Sequence, residues 1–229
     1  FEKEVIKLKP DLVLVVGDVN STLACSIVAK KLHIPVVHVE AGLRSFDRDM
    51  PEELNRLVTD SISDFFFVTE DSGEKHLLHD GVDPAKIHFT GNVMIDSLVH
   101  FKEKASHSKV LEENGLTPKE YLLVTLHRPS NVDSIESLTT LAEILNAVAG
   151  KIKIVFPIHP RTLNNLKKNN LSIENENIIL LEAQGYLDFL LLMQNSKGLL
   201  TDSGGIQEET TFLNIPCLTL RDNTERPVT

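Results

Sequence analysis

The sequence predicts an α/β protein of two domains, each with a parallel sheet and covering helices. Short apolar runs, typical of strands buried on both faces, alternate with helix-like segments from one end of the 229 residues to the other. A polar stretch with Asn114-Gly115 and Thr117-Pro118 interrupts this alternation. We therefore predict an N-terminal domain over residues 1–95, a linker over 96–118 and a C-terminal domain over 119–229.

The first domain begins with the end of a helix over residues 2–9, followed by alternating strands and helices. The predicted strands are Asp11–Val16, Val36–Val39, Phe65–Thr69 and Ile87–Thr90. Three further helices are predicted. The first covers residues 21–32, the second begins at Pro51, a residue favoured in a first helical turn, and the third ends before Gly81. In the helix that begins at Pro51, the apolar spacing predicts that Leu54, Leu57 and Val58 form the buried stripe.

The second domain follows a helix that runs from Met94 to about Lys109. Its predicted strands are Tyr121–Leu126, Ile152–Phe156, Ile178–Leu181, Gly198–Thr201 and Cys217–Leu220. Its predicted helices are Ile135–Ala149, Leu163–Lys168, Leu187–Asn195 and Ile206–Asn214. Ligands of parallel α/β sheets bind at the carboxyl ends of the strands, so polar residues at those ends are the candidates for a site.

Composition excludes several classes of protein. With 23 basic and 33 acidic residues the net charge is −10, which argues against nucleic acid as a partner. No stretch approaches the roughly 20 apolar residues of a membrane span, and the first residues carry no signal-peptide pattern. Cys25 and Cys217 are too few for a disulfide framework and match no zinc motif, which favours a reducing cytoplasm.

Three carboxylates map to one edge of the first domain: Asp18 and Glu40 at strand ends, and Glu52 at the start of a helix. Asp18 precedes a helix, where a turn or N-cap aspartate is an equal alternative. His38 and Glu40 point to one face of a strand, and metal ligation is a minor alternative because a convincing third ligand is lacking. Glu52 and Arg56 have the spacing of an ordinary ion pair at a helix start. Because all three carboxylates map to one edge, we predict general acid–base chemistry there.

The strand ends of the second domain carry donors for an anion. His127 and Arg128 follow one strand, and Ser203-Gly204-Gly205 follows another at a helix start, where backbone N–H groups suit phosphate oxygens. Arg226, after the last strand, adds a cation to the same predicted rim. A glycine-rich turn with scattered surface arginines is the alternative. A diphosphate site is the prediction that joins these residues.

Seven strings carry a family resemblance: GDVNST, HVEAGLRS, PEELNRLVTD, TGNVMIDSL, HRPSNVD, TDSGGIQEE and RDNTERPVT. In order and spacing they resemble the non-hydrolysing UDP-N-acetylglucosamine 2-epimerases. The resemblance implies a fold like the GT-B glycosyltransferases, with two Rossmann-like domains and a nucleotide sugar in the cleft between them. It implies an isomerase that eliminates UDP to give 2-acetamidoglucal and adds it back, without NAD, metal or another cofactor.

The resemblance also implies roles for individual positions. Asp18, Glu40 and Glu52 match acid–base carboxylates, and His127 matches a histidine beside the leaving diphosphate. The substrate-binding positions that match the family are Gln184 and Phe189 for uracil, Glu209 for ribose, and Ser203, Gly204, Gly205 and Arg226 for phosphate. We add Arg56 and Arg128 as candidate substrate-binding residues. The family's first βα unit, with its basic Gly-containing loop, and its last segment have no counterpart here, so we expect a fragment.

We expect a cytoplasmic homodimer that acts on a UDP-sugar in polysaccharide biosynthesis and binds neither nucleic acid nor membrane. The alternatives are an epimerase for a related UDP-diacetamido sugar, a hydrolysing epimerase, a GT-B glycosyltransferase and an inactive UDP-sugar-binding module. Three carboxylates on one edge favour chemistry over binding alone.

Overall fold

The chain forms two compact units. The computed structural model describes residues 1–171, 173, 175–221, 223–227 and 229, which include every candidate site residue. The first unit comprises Phe1–Val93 and Asn223–Val228, and the second comprises Met94–Asp222 and Thr229. Each contains one parallel sheet, which confirms the predicted α/β class. Within the described ranges, no helix has the length and apolar character that crossing a bilayer requires.

The sheet of the first unit has four parallel strands in sequence order. The strands are β1 (Val13–Val16), β2 (Val36–Val39), β3 (Phe65–Val68) and β4 (Ile87–Phe89). The helices are α1 (Glu2–Leu8), α2 (Asn20–Lys31), α3 (Pro51–Ile62) and α4 (Asp71–His79), with a short 3-10 turn at Pro84–Lys86. Every residue of β2 is buried, because this strand lies between two others.

Helix α3 buries its polar face, and the predicted apolar stripe is wrong. Leu54 and Val58 are 46% and 41% exposed. The buried residues are Glu53, Asn55, Arg56, Thr59 and Asp60. Burying a charge is costly unless it is paired, and Arg56 and Asp60 are paired with groups at the ends of β1 and β2. This polar face therefore packs against the strand ends where the candidate carboxylates lie.

The sheet of the second unit has five parallel strands in the order β7-β6-β5-β8-β9. The strands are β5 (Tyr121–Thr125), β6 (Lys153–Pro157), β7 (Ile178–Leu181), β8 (Gly198–Thr201) and β9 (Cys217–Thr219). The helices are α5 (Val93–Ala105), α6 (Val110–Glu113), α7 (Pro129–Val132), α8 (Ile135–Ala149), α9 (Pro160–Lys168), α10 (Tyr186–Asn195) and α11 (Gly204–Phe212). The order reverses between β5 and β8, and such switch points are where parallel α/β sheets bind ligands.

Two segments belong to a different part of the structure than the sequence predicted. Residues 96–118, predicted as a linker, form most of α5 and all of α6, and their buried apolar residues join the core of the second unit. These core residues are Leu98, Ala105, Val110 and Leu116. At the other end, the segment that begins at Asn223 belongs to the first unit, although the sequence placed it in the C-terminal domain.

Candidate active site

The turn after β1 holds Asp18 in a fixed position. Gly17 has a φ of +67°, in the left-handed region that favours glycine. From α3, Asn55 Nδ2 donates to the Asp18 carbonyl at 2.8 Å, and Arg56 Nη1 lies 3.2 Å from Asp18 Oδ2. The N-cap of α2 is Val19, so Asp18 is not the N-cap that the sequence offered as an alternative. Its carboxylate is paired with a cation and is still 30% exposed.

Glu40 lies at the end of β2 in an unusual conformation and a mostly buried environment. Its φ is +67°, a region that non-glycine residues rarely adopt. Burial raises the pKa of its carboxyl group, the Arg226 guanidinium acts against that rise, and the Asp18 carboxylate adds to it. The structure thus brings Glu40, Asp18 and Arg226 together. Arg226 lies in the first unit, 3.5 Å from Glu40 Oε2, and also contacts Glu225.

Two adjacent glutamates of α3 have different surroundings. Glu53 is buried and accepts hydrogen bonds from the Ser45 N–H, the Ser45 hydroxyl and the Phe46 N–H at 2.9–3.1 Å. Arg56 Nε lies 3.3 Å from Glu53 Oε2. Glu52 is half-buried and, among the described residues, has no hydrogen-bond or ion-pair partner. Arg56 pairs with Asp18 and Glu53, so the alternative of a Glu52–Arg56 ion pair is wrong.

Asp60 joins three groups around the turn that follows β2. Its Oδ1 lies 2.6 Å from His38 Nδ1, and its Oδ2 accepts from the Gly42 N–H at 3.1 Å and from Arg44 Nη1 at 2.5 Å. His38 Nε2 in turn lies 2.9 Å from the Gly17 carbonyl. Both ring nitrogens of His38 face oxygen acceptors, so neither is available as a metal ligand. His38 and Asp60 hold the two turns that carry Asp18 and Glu40.

In the second unit, Asp202 directly follows β8 and, like Asp60 in the first unit, is a buried aspartate that joins neighbouring turns. This fully buried carboxylate accepts from the backbone N–H groups of His127 and Arg128 at 3.0 and 2.9 Å. Asn131 Nδ2 donates to it at 3.1 Å, and His127 Nδ1 lies 3.0 Å from its Oδ1. Arg128 Nε donates to the Asp202 carbonyl at 3.0 Å. The predicted residues His127 and Arg128 are therefore brought to one strand end through Asp202.

The predicted phosphate turn begins α11, at the end of β8. Ser203 is the N-cap residue, and its N–H donates to Thr201 Oγ1 at 3.0 Å. Gly204 and Gly205 form the first turn of the helix. A Cβ at Gly205 would lie 2.6 Å from Met94 Cε, so this glycine also permits a close contact with α5. The turn has the geometry of an anion site, and its role in binding stays a prediction.

The predicted uracil and ribose residues lie around α10. Gln184 is half-buried and donates to the Glu182 carbonyl at 2.8 Å, and Phe189 packs against the core. Glu209 is buried, and Tyr186 Oη donates to its Oε1 at 3.2 Å. Burial and the neighbouring carboxylate raise the pKa of Tyr186 to about 12, and burial raises the pKa of Glu209. These roles also stay predictions.

Sequence reasoning missed four residues that organise the site: Glu53, Asp60, Tyr186 and Asp202. Asp202 follows β8 directly, and strand-end position was the signal that identified Asp18 and Glu40. The helical residues gave no such signal, because an acidic residue on a helix normally faces solvent.

A family model described as UDP-N-acetylglucosamine 2-epimerase matches residues 1–229. UDP-N-acetylglucosamine 2-epimerase of Methanocaldococcus jannaschii is 46% identical over 237 residues, covering 100% of this chain and 65% of that protein. UDP-2,3-diacetamido-2,3-dideoxy-D-glucuronate 2-epimerase of Pseudomonas aeruginosa is 41% identical, covering 98% of this chain and 62% of that protein.

Solved structures show the same similarity. The crystal structure of the M. jannaschii UDP-GlcNAc 2-epimerase in complex with UDP-GlcNAc and UDP matches with a TM-score of 0.90 and 44% identity. That match covers 100% of this chain and 65% of the solved one. The chain thus spans 62–65% of the length of these relatives.

Proposed function

The chain belongs to the family of UDP-N-acetylglucosamine 2-epimerases, and we propose that the complete protein interconverts UDP-N-acetylglucosamine and UDP-N-acetylmannosamine. The observation that carries this proposal is the cluster at the ends of β1 and β2, where Asp18 and Glu40 share one environment with Arg226. Epimerisation at C2 removes a proton and returns it to the other face. Carboxylates held at one strand edge supply the base and the acid for these two steps.

The proposed reaction is an elimination followed by an addition. A carboxylate takes the C2 proton, the C–H electron pair forms the C1=C2 bond, and the C1–O electron pair passes to the β-phosphate oxygen. This step gives UDP and 2-acetamidoglucal. In the return step the phosphate oxygen attacks C1, and a carboxylic acid protonates C2 on the opposite face. The balance involves no oxidant or reductant, so we expect turnover without a nicotinamide.

The carboxylates of the first unit differ in the roles that they suit. Burial raises the pKa of Glu40, which suits a group that holds a proton near neutral pH. Glu52 has no partner among the described residues, and Asp18 is partly exposed, so either can accept the C2 proton. We assign the acid to Glu40 and the base to Asp18 or Glu52.

We assign the nucleotide to residues of the second unit, and Arg226 of the first unit stays a predicted phosphate ligand. The diphosphate is bound by His127, Arg128 and the Ser203-Gly204-Gly205 turn at the start of α11. Glu209 binds the ribose, while Gln184 and Phe189 bind the uracil. An amide with donors and an acceptor, next to an apolar ring, is suited to a uracil edge and face. Arg56 contributes by holding the Asp18 carboxylate.

The test is proton NMR of the complete protein with UDP-N-acetylglucosamine in D2O. We expect deuterium at C2 and the appearance of UDP-N-acetylmannosamine. UDP binding without any exchange at C2 would instead identify a binding module, and transfer of the sugar to an acceptor would identify a glycosyltransferase. Loss of turnover on treatment with EDTA, restored by a divalent cation, would contradict the metal-free reaction.

A second candidate is epimerisation of a UDP-diacetamido sugar acid. It is favoured by the 41% identity to the UDP-2,3-diacetamido-2,3-dideoxy-D-glucuronate 2-epimerase of P. aeruginosa. The same NMR measurement with both UDP-sugars separates the candidates. Faster exchange with the sugar acid would identify it as the substrate in place of UDP-N-acetylglucosamine. The proposed chemistry at C2 would stay the same.

We also propose that the complete protein is a cytoplasmic homodimer, as the family resemblance implies. Both cysteines, Cys25 and Cys217, are free thiols, which supports a reducing compartment. Light scattering after size-exclusion chromatography measures the oligomeric state. A monomeric mass at micromolar concentration would contradict the dimer.

A further inference from the structure

We propose that Asp202 is a positioning residue: it accepts the Nδ1 proton of His127, so that Nε2 is the ring atom that faces the nucleotide diphosphate and donates to it once a second proton is bound there. The identity of that ligand rests on the proposed function. The position of the proton rests only on contacts within the second unit.

Asp202 is surrounded by donors. Its Oδ2 accepts from the His127 and Arg128 N–H groups and from Asn131 Nδ2 at 2.9–3.1 Å, while its Oδ1 lies 3.0 Å from His127 Nδ1. Burial acts to raise the pKa of this carboxyl group, but the hydrogen bonds from His127, Arg128 and Asn131 outweigh burial and lower it. Asp202 is therefore an ionised carboxylate that can only accept hydrogen bonds.

The proton of His127 follows from that contact. Because Asp202 Oδ1 can only accept, His127 Nδ1 has to donate, and in the neutral ring Nε2 carries the lone pair. The His127 side chain is 44% exposed, and no described residue forms a hydrogen bond with Nε2. A proton that the ring gains is then added at Nε2, the ring nitrogen that carries the lone pair.

The neighbouring histidine has the opposite arrangement. The rings of His127 and His159 are 6.0 Å apart between centroids. His159 is the N-cap residue of α9, and its Nδ1 accepts from the Arg161 N–H at 3.2 Å. A backbone N–H can only donate, so the proton of neutral His159 is on Nε2. Two adjacent histidines are thereby assigned opposite tautomers, and each serves as the control for the other.

The assigned tautomer matters when the C1–O bond breaks. The electron pair passes to the β-phosphate oxygen. When the exposed ring has taken a second proton from solvent at Nε2, that N–H can hydrogen-bond the oxygen as its charge develops. Asp202 keeps Nε2, rather than Nδ1, as the ring atom that reaches the ligand. Among the described residues, the charged or titratable groups that contact the ring or its aspartate are Asp202, the Arg128 guanidinium, which is bonded to the Asp202 carbonyl, and His159.

The first test is nitrogen NMR of the complete protein labelled with 15N-histidine, at about pH 8, where ordinary histidines are neutral. Long-range correlations should show His127 protonated at Nδ1 and His159 protonated at Nε2. His127 in the Nε2–H form would overturn the proposal. This measurement uses neither substrate nor substitution, so its outcome is independent of the proposed enzyme activity.

The second test is Asp202→Asn. Three donors surround the Oδ2 position, so the amide oxygen should occupy it and the amide NH2 should face His127 Nδ1. We expect the His127 tautomer to invert while that of His159 stays. Because Nδ1 then faces an amide N–H and cannot carry a proton, the ring can no longer be protonated on both nitrogens, and kcat should fall by about 10²–10⁴-fold with little change in KM. Retention of the Nδ1–H form of His127, or of full kcat, would overturn the proposal.

The matched control is Asp133→Asn, which makes the same charge change on an exposed carboxylate bonded to Arg161 in the same unit. It should leave both the His127 tautomer and kcat unchanged. If Asp202→Asn does not fold, the wild-type tautomers decide. If the wild type shows no exchange at C2, the proposed function fails, while the tautomer assignment is tested as before.

Discussion

Each unit of the protein contains a buried aspartate paired with a histidine at the end of a strand, but the two histidines differ in what they leave open. In the first unit, His38 is fully buried, and both its nitrogens face oxygens of Asp60 and Gly17. In the second unit, His127 is 44% exposed, and only its Nδ1 is bonded to an aspartate. The first histidine connects elements of the fold, whereas the second keeps one ring nitrogen available for the ligand contact that we propose.

The same contrast separates two carboxylates that are adjacent in sequence. Glu53 uses both oxygens to hold the segment at Ser45 and Phe46, and Glu52 uses neither within the described chain. Residue type and strand-end position are therefore not enough to identify a catalytic group. A candidate catalytic carboxylate differs from a structural one in keeping a polar atom available after the local hydrogen bonds are made.

The largest effect is expected for Glu52→Gln. If Glu52 takes part in proton transfer, exchange at C2 should fall by about 10²–10⁴-fold, because that is the usual loss with a general acid or base. UDP affinity, measured by calorimetry, should stay the same. Glu53→Gln, the matched control, should lower stability instead, since the amide cannot accept from all of its present donors. Wild-type exchange in Glu52→Gln would remove Glu52 from the mechanism.

The next largest effect is expected for Asp60→Ala. It leaves the buried Arg44 guanidinium and the His38 ring without their carboxylate, and breaking a buried pair typically costs about 3–5 kcal/mol. Native-state amide hydrogen exchange of β2 measures the loss.

Asp80→Ala is the control, since Asp80 also pairs with Arg44 but is 47% exposed. It should cost about 0–1 kcal/mol. Equal losses in the two variants would mean that the Asp60 network is not what stabilises the first unit.

A smaller effect is expected for Arg226→Ala. If Arg226 contacts the diphosphate, UDP binding should weaken by about 1.5–3 kcal/mol, the usual range for a hydrogen bond to a charged group. The guanidinium lowers the pKa of Glu40, so its removal should move that titration, and the pH–rate limb that follows it, to higher pH. A pH profile that does not move would show that Glu40 is not the titrating acid.

The smallest effect is expected for Tyr186→Phe. The substitution removes one hydrogen bond to Glu209, and such a bond typically contributes about 0.5–1.5 kcal/mol. UDP affinity should fall accordingly if Glu209 binds the ribose, and calorimetry with UDP measures it. A matched Tyr121→Phe variant, in which the hydroxyl donates to the Leu192 carbonyl, should leave UDP affinity unchanged.

The sequence predicted the nine strands found in the described part of the chain, because short runs such as Val36–Val39 and Gly198–Thr201 are typical of strands buried in a parallel sheet. It also identified residues that follow strands, including Asp18, Glu40 and His127. It failed for α3, where the buried face is decided by long-range pairs such as Arg56 with Asp18. Helical periodicity carries no information about a partner 38 residues away.

Glu40 combines a left-handed backbone, a mostly buried carboxylate and an acidic neighbour, and each of these features opposes folding. Selection for stability alone would replace this residue, since glycine adopts the same backbone without steric strain. If Glu40 is the acid that we propose, glycine or asparagine at this position is therefore the expected drift in a lineage released from catalysis, and retention of glutamate would mark continued selection for activity. The unfolding free energy of Glu40→Gly relative to wild type measures how much stability the chain gives up here.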